Sequence, residues 1–155
     1  MNIGLVVYSQ TGNTLSVVRR LQEKLAAAGH SATIERVGPT TGLPPQPDDV
    51  ITVSYPDLSA YEGVVLAGPV QAFSLNRPMS ASLKDLPDLQ GRRVACLTTE
   101  HFPRPWLGGN RAIRVLKKGV AARNGSVCGS GVVCWSARDR EQQIAAVVDN
   151  LAGLF

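Results

Sequence analysis

Hydrophobic positions along the chain fall into two kinds of pattern: short uninterrupted apolar runs, and longer stretches with an apolar residue every three or four positions. The runs are "IGLVVY" (3–8), "GVVLAG" (63–68), "RVACLT" (93–98) and "SGVVCW" (130–135). Continuous, Val-rich apolarity is what a parallel strand covered on both faces requires. A further run, "SATIERV" (31–37), alternates as an edge strand does. Between the runs lie helical stripes. Leu15, Val18, Leu21 or Gln22, and Leu25 mark one face after Asn13 and Thr14, with Gly29 as the stop. Pro78 suits a first turn and is followed by Met79, Leu83 and Leu86. Asn110 is placed to cap a helix whose Ile113, Leu116 and Val120 face inward while Arg111, Arg114 and Lys118 face out. The closing segment offers start signals at Ser136 and Asp139 and a stripe of Ile144, Val148 and Leu151.

Strand and helix in regular alternation predict an α/β protein, a five-stranded parallel sheet with helices on both faces. No repeat or linker divides the 155 residues, so residues 1–155 form a single domain. The pattern breaks once, at "GPTTGLPPQPDD" (38–49), too rich in Gly and Pro for a helix and leading into "VITVSY" (50–55). An excursion with a short extra strand is expected there, in place of the second crossover helix.

Composition adds little to the fold but narrows the function. Hydrophobic content of 44% and charged content of 18% are those of a folded soluble chain. Nowhere do about 18 apolar residues run together, and the basic leader of a targeting segment is missing, so a soluble cytoplasmic protein with no membrane partner is expected. Cys96, Cys128 and Cys134 sit in strand-like runs, which suits reduced core thiols. The net charge of +4 is unevenly spread: residues 101–155 hold 8 Lys and Arg against 3 Asp and Glu, and no acidic side chain occurs between Arg104 and Arg138. Such a segment is either a solvated basic face or a surface that steers an anionic partner. Nucleic acid fits less well, because aromatics are not interleaved with the basic residues.

The candidate chemistry sits at the mouth of the first strand, where "YSQTGNT" (8–14) precedes the first helix. Ligands of parallel α/β sheets bind outside the C-terminal ends of the strands, at the point where strand order switches direction. Ser9, Thr11, Asn13 and Thr14 offer polar side chains, Gly12 lets backbone approach closely, and the helix start adds unspent N–H groups. These make a cradle of phosphate size, whereas a plain helix cap needs one acceptor. A GxxxxGK[ST] loop, a GxGxxG after strand 1, a Cys-x5-Arg loop and the acidic strand ends of a phosphoacceptor are all missing, and so is a nucleophile, base and orienter set or a metal-ligand cluster. No catalytic or metal-binding residue is assigned.

"YSQTGNT" resembles the phosphate signature of the flavodoxin family, in which Ser or Thr followed by Thr-Gly-Asn-Thr wraps the phosphate of FMN. "LAGPVQAFSLNRPM" resembles the loop along one side of the isoalloxazine ring, and "LTTEHFPRPWLGGN" takes the place of the loop on its other side. The resemblance implies the flavodoxin-like strand order 2-1-3-4-5, FMN as cofactor, and electron transfer between redox partner proteins. It also implies a set of contacts: Ser9, Gln10, Thr11, Gly12, Asn13 and Thr14 around the phosphate, then Pro69, Val70, Gln71, Ala72 and Phe73 on one side of the ring, and Thr99, Glu100, His101, Phe102 and Trp106 on the other. Phe73, Phe102 and Trp106 are the side chains able to cover ring faces. The alternatives are an NAD(P)H-dependent FMN or quinone reductase and a binding module that has lost its flavin. Flavodoxins are usually acidic around the flavin; here Arg104 is expected to stabilise the anionic reduced flavin, and the Arg111, Arg114, Lys117 and Lys118 face to steer a redox partner with an acidic docking surface.

Overall fold

A computed structural model of the chain describes residues 1–38 and 53–155. Among the described residues, six strands and four α-helices follow in the order β1 (Asn2–Val7), α1 (Asn13–Ala27), β2 (Ser31–Arg36), β3 (Gly63–Gln71), β4 (Ser74–Leu75), α2 (Arg77–Ser82), β5 (Arg93–Glu100), α3 (Gly109–Ala122), β6 (Ser126–Cys134) and α4 (Arg140–Ala152). The sheet runs β2-β1-β3-β5-β6, with all these pairs parallel. The two-residue β4 was not foreseen; it folds back antiparallel on the end of β3.

Each apolar run serves two cores because successive side chains point to opposite faces. Ile3, Leu5 and Val7 of β1, with Val65, Ala67, Ala95 and Leu97, pack against Val18, Leu21 and Leu25 of α1 and Ile144, Val148 and Leu151 of α4. Val6, Val64, Leu66, Val94 and Cys96 face the other way, onto Met79 of α2, Leu83 just after it, and Ile113, Leu116 and Val120 of α3. Full burial of such a side chain contributes about 1.5–3 kcal/mol, so this two-sided core fixes the strand ends on which the loops stand.

The helix starts depart from the sequence signals. The N-cap of α3 is Gly108, not Asn110, and neither it nor Gly12 at α1 makes a side-chain cap bond. Asp139 precedes α4, but its carboxylate accepts from the Gln143 side chain and not from a helix amide. Asn76 caps α2, accepting from the Met79 amide, with Pro78 in the first turn. Most of the expected excursion at 38–49 and extra strand at 50–55 lies outside the described residues; of the latter, Val53 is buried in a single bridge pairing. All three cysteines are free thiols, Cys96 and Cys134 buried and Cys128 half-buried.

Candidate functional site

The loop after β1 is braced from within. Gly12 takes a left-handed conformation, φ 92°, with open space around the position of a Cβ. That turn lets the Ser9 hydroxyl accept from the amides of Gly12 (3.2 Å) and Leu15 (3.3 Å). Gln10 and Thr11 are exposed and Asn13 is half-buried. Thr14 points away from solvent: its hydroxyl lies 2.7 Å from that of Thr99 and ties the first loop to the end of β5.

The second loop is a tight hairpin. β3 continues through Pro69, Val70 and Gln71, and Ala72 and Phe73 turn the chain with φ of 51° and 61° before β4 returns. Positive φ at both central positions of a two-residue hairpin is ordinary for Asn or Gly and strained for Ala or Phe. Phe73 is carried outward and stacks on Phe102 of the third loop, with centroids 5.3 Å apart and planes within 4°.

The third loop leaves β5 at Glu100. Thr98 donates to the Gly68 carbonyl (2.7 Å) and locks β5 to β3 just below the site. The Glu100 carboxyl group is buried and accepts from the Gly109 amide (3.2 Å) and from the Cys134 thiol (3.4 Å). This carboxyl, not Asn110, takes up an amide at the start of α3. Burial pushes the Glu100 carboxyl above the usual carboxylate range, and burial followed by the neighbouring carboxylate pushes the Cys134 thiol up to about 12. His101 and Phe102 are exposed and meet edge to face, centroids 6.0 Å apart.

Gln10, Thr11, Asn13, Pro69, Val70, Gln71, Thr99, Glu100 and His101 together line one cavity of about 280 Å³ at the C-terminal ends of β1, β3 and β5. Ser9, Gly12 and Thr14 brace the loop behind it; Ala72, Phe73 and Phe102 do not line it. Trp106 is not part of it. It sits on a single 3-10 turn, 68% exposed, under the Arg104 guanidinium at 5.5 Å, and lines a second cavity of about 330 Å³ with Phe73, Leu107, Asn110, Arg111 and Arg114. Sequence reasoning missed Gly109 and Cys134. The "GG" before α3 was a signal for the first, since a Cβ on Gly109 would fall 2.8 Å from Glu100 Oε1. Among the described residues no His, Cys, Asp and Glu cluster could hold a metal ion, and no helix is long and apolar enough to cross a membrane.

The chain is a parallel α/β sheet with a cavity at the strand ends, and solved structures narrow the fold. No protein-family model and no curated protein sequence matches the chain. Oxidised flavodoxin 2 from Bacillus cereus matches with a TM-score of 0.69 and 17% identity over 100% of both chains. Two-electron reduced flavodoxin from Megasphaera elsdenii gives 0.69 and 17%, over 97% of this chain and 98% of that one. A flavoprotein from Lactobacillus acidophilus in complex with FMN gives 0.64 and 12%, over 94% and 97%. The fold is flavodoxin-like.

Proposed function

We propose that the chain binds one FMN non-covalently and carries electrons between redox partner proteins. The observation that bears most of the weight is the cavity at the ends of β1, β3 and β5, to which three separate loops all contribute. Flavodoxins and an FMN complex among the structures of similar fold support the same choice of cofactor. The residues fit the group. At the phosphate end, the turn at Gly12 is open to solvent and the first turn of α1 holds no acidic residue; the uncharged Ser9 hydroxyl takes up its Leu15 amide, so the positive end of the dipole meets no counter-charge there. At the ring end, Pro69 and Val70 supply apolar wall, and Gln71 and Thr99 stand beside them with polar groups for the edge of a ring.

In this assignment Gln10, Thr11 and Asn13 hold the phosphate, and Ser9 and Thr14 keep the loop in shape. A helix terminus contributes only about 0.3–2 kcal/mol to an anion, while sub-micromolar affinity needs more than about 8 kcal/mol. The ring wall must therefore supply most of the affinity. FMN, when bound, supplies the redox chemistry; the protein excludes water, fixes the ring and sets its electrostatic surroundings. Arg104, Arg111, Arg114 and Lys118 are exposed and have no ion pair among the described residues, a surface suited to an acidic partner protein. Lys117 is half-buried and contributes less. A soluble cytoplasmic carrier is the setting that goes with this assignment, and cell fractionation tests it.

The deciding measurement is the visible spectrum of the purified protein and of the apoprotein titrated with FMN. Flavin absorption with one FMN per chain is expected; a protein that never takes up FMN would make it a binding module instead. One observation favours a reductase as the second choice: the neighbouring cavity presents an aromatic and two guanidinium groups, suited to an anionic aromatic nucleotide. Steady-state oxidation of NADH or NADPH by the loaded protein separates reductase from carrier.

A further inference from the structure

Glu100 is the one carboxyl group in the wall of the candidate FMN cavity, and it is 2% exposed. No cation is paired with it among the described residues. Its hydrogen-bond partners are the Gly109 amide from α3 and the Cys134 thiol from β6, both uncharged. Its chain neighbours are the neutral Thr99, bonded to Thr14 of α1, and the exposed His101. Asp139 and Arg104 are the charged side chains that act on the Cys134 thiol, with opposite signs. Two neutral donors replace water only in part, so at 2% exposure an ionised Glu100 is further stabilised by the polarisation of the water that fills the adjoining cavity and not by direct hydration. A flat ligand filling the cavity removes that water.

Resting on the assignment of FMN to this cavity, we propose that Glu100 links ligand binding to the uptake of one proton. The carboxylate takes a proton from solvent, and the complex holds the neutral acid. No bond to the ligand forms and no electron moves. The direction of the linkage follows from the two states. Burial already places the carboxyl of the empty protein above the ordinary range, and covering it raises it further. Between the two values the binding constant falls as pH rises, by up to tenfold per pH unit, and it levels off above the higher one. Below the lower value Glu100 is neutral in both states and binding takes up no proton there.

The test uses the full chain and FMN. Affinity is followed by quenching of flavin fluorescence from about pH 5 to about pH 9, and proton uptake by calorimetry in buffers of different ionisation enthalpy. The phosphate of FMN also titrates, but it does so equally in wild type and Glu100→Gln, so the difference between them isolates the carboxyl. Wild type should take up as much as one proton per FMN more than Glu100→Gln, and its affinity should fall with pH relative to that variant. Parallel profiles with equal proton uptake overturn the linkage while leaving FMN binding intact. Failure of wild type to bind FMN at any pH removes both the cofactor assignment and the linkage. Glu100→Gln keeps an acceptor for the Gly109 amide and loses only a buried acid, so it should fold. Cys134→Ala gives an independent handle: without the thiol donor that favours the charged form, the pH at which affinity falls should move up, and an unmoved profile counts against the proposal.

Discussion

The cavity at the strand ends and the cavity beside Phe73 and Trp106 are built from different materials. The one at the strand ends is held by buried bonds between elements: Thr14 to Thr99, Thr98 to Gly68, Glu100 to Gly109. Its neighbour is lined by exposed side chains, Trp106, Asn110, Arg111 and Arg114, standing on α3 and on a single 3-10 turn. The first is an outgrowth of the core, so a change there is felt as lost stability. The second is a decoration of the surface, so a change there should leave the fold alone and alter only what binds or docks.

Gly109, whose amide braces Glu100 of the first cavity, and Asn110, which lines the second, are adjacent in sequence and put the contrast to its sharpest test. A Cβ at Gly109 would meet Val132 Cγ1 at 2.5 Å and Glu100 Oε1 at 2.8 Å. Gly109→Ala should therefore cost about 3 kcal/mol, the upper end for overpacking, and lower Tm by roughly 2–4 °C per kcal/mol in a chain of this size. Asn110→Ala, at an exposed position with no cap bond to lose, should stay within about 0.5 kcal/mol. Thermal unfolding of the two variants side by side checks this, and equal losses would erase the distinction between the walls. Next in size is Thr14→Val, which keeps the shape but leaves the buried Thr99 hydroxyl without its partner. About 1–2 kcal/mol should be lost, and Thr14→Val with Thr99→Val should recover part of it in the same measurement.

What could be read from the sequence follows the same division. The apolar runs announced a parallel α/β sheet because burial on both faces leaves a continuous pattern, and "YSQTGNT" announced a loop beyond what a turn requires. The partners of its side chains were not legible. Thr14 and Thr99 are 85 positions apart, and no local pattern couples them. Asn110 looked like a cap because Asn commonly caps; Glu100, nine residues before Gly109, supplies the acceptor for the Gly109 amide instead, and only the packing of β5 against α3 brings it there. The hairpin after β3 was hidden because its central residues are Ala and Phe, without the Asn or Gly that signals positive φ. Trp106 was grouped with Phe73 and Phe102 as cover for a ring, yet the 3-10 turn carries it to the other cavity.

That unsignalled hairpin gives a smaller prediction of opposite sign. Ala72 holds φ at 51°, and a left-handed conformation costs a residue with a Cβ about 1–2 kcal/mol. Ala72→Gly removes the strain and adds flexibility to the unfolded chain, so a net gain of up to about 1 kcal/mol is expected. Urea unfolding should show a higher midpoint with an unchanged slope. A loss would mean that the Ala72 methyl group contributes packing that outweighs the strain.

The smallest effect separates the walls by salt. Reduction adds negative charge to a bound flavin, so a guanidinium at the rim favours the reduced form, and Arg104→Ala should lower the midpoint potential. The effect is bounded by about 1 kcal/mol for a charge in water at close range. Arg104 is exposed, and its side chain lies over the Trp106 ring at the edge of the second cavity. At 1 M salt the screening length is about 3 Å, and the difference between Arg104→Ala and wild type should vanish. Glu100 is buried behind the first cavity, so any difference between Glu100→Gln and wild type should persist at the same salt. Potentiometry of the three proteins at low and high ionic strength reads both outcomes at once. If the Arg104→Ala shift survived high salt, Arg104 would have to approach the ring within the water-excluded site, and the basic wall would belong to the cofactor site and not to a docking surface.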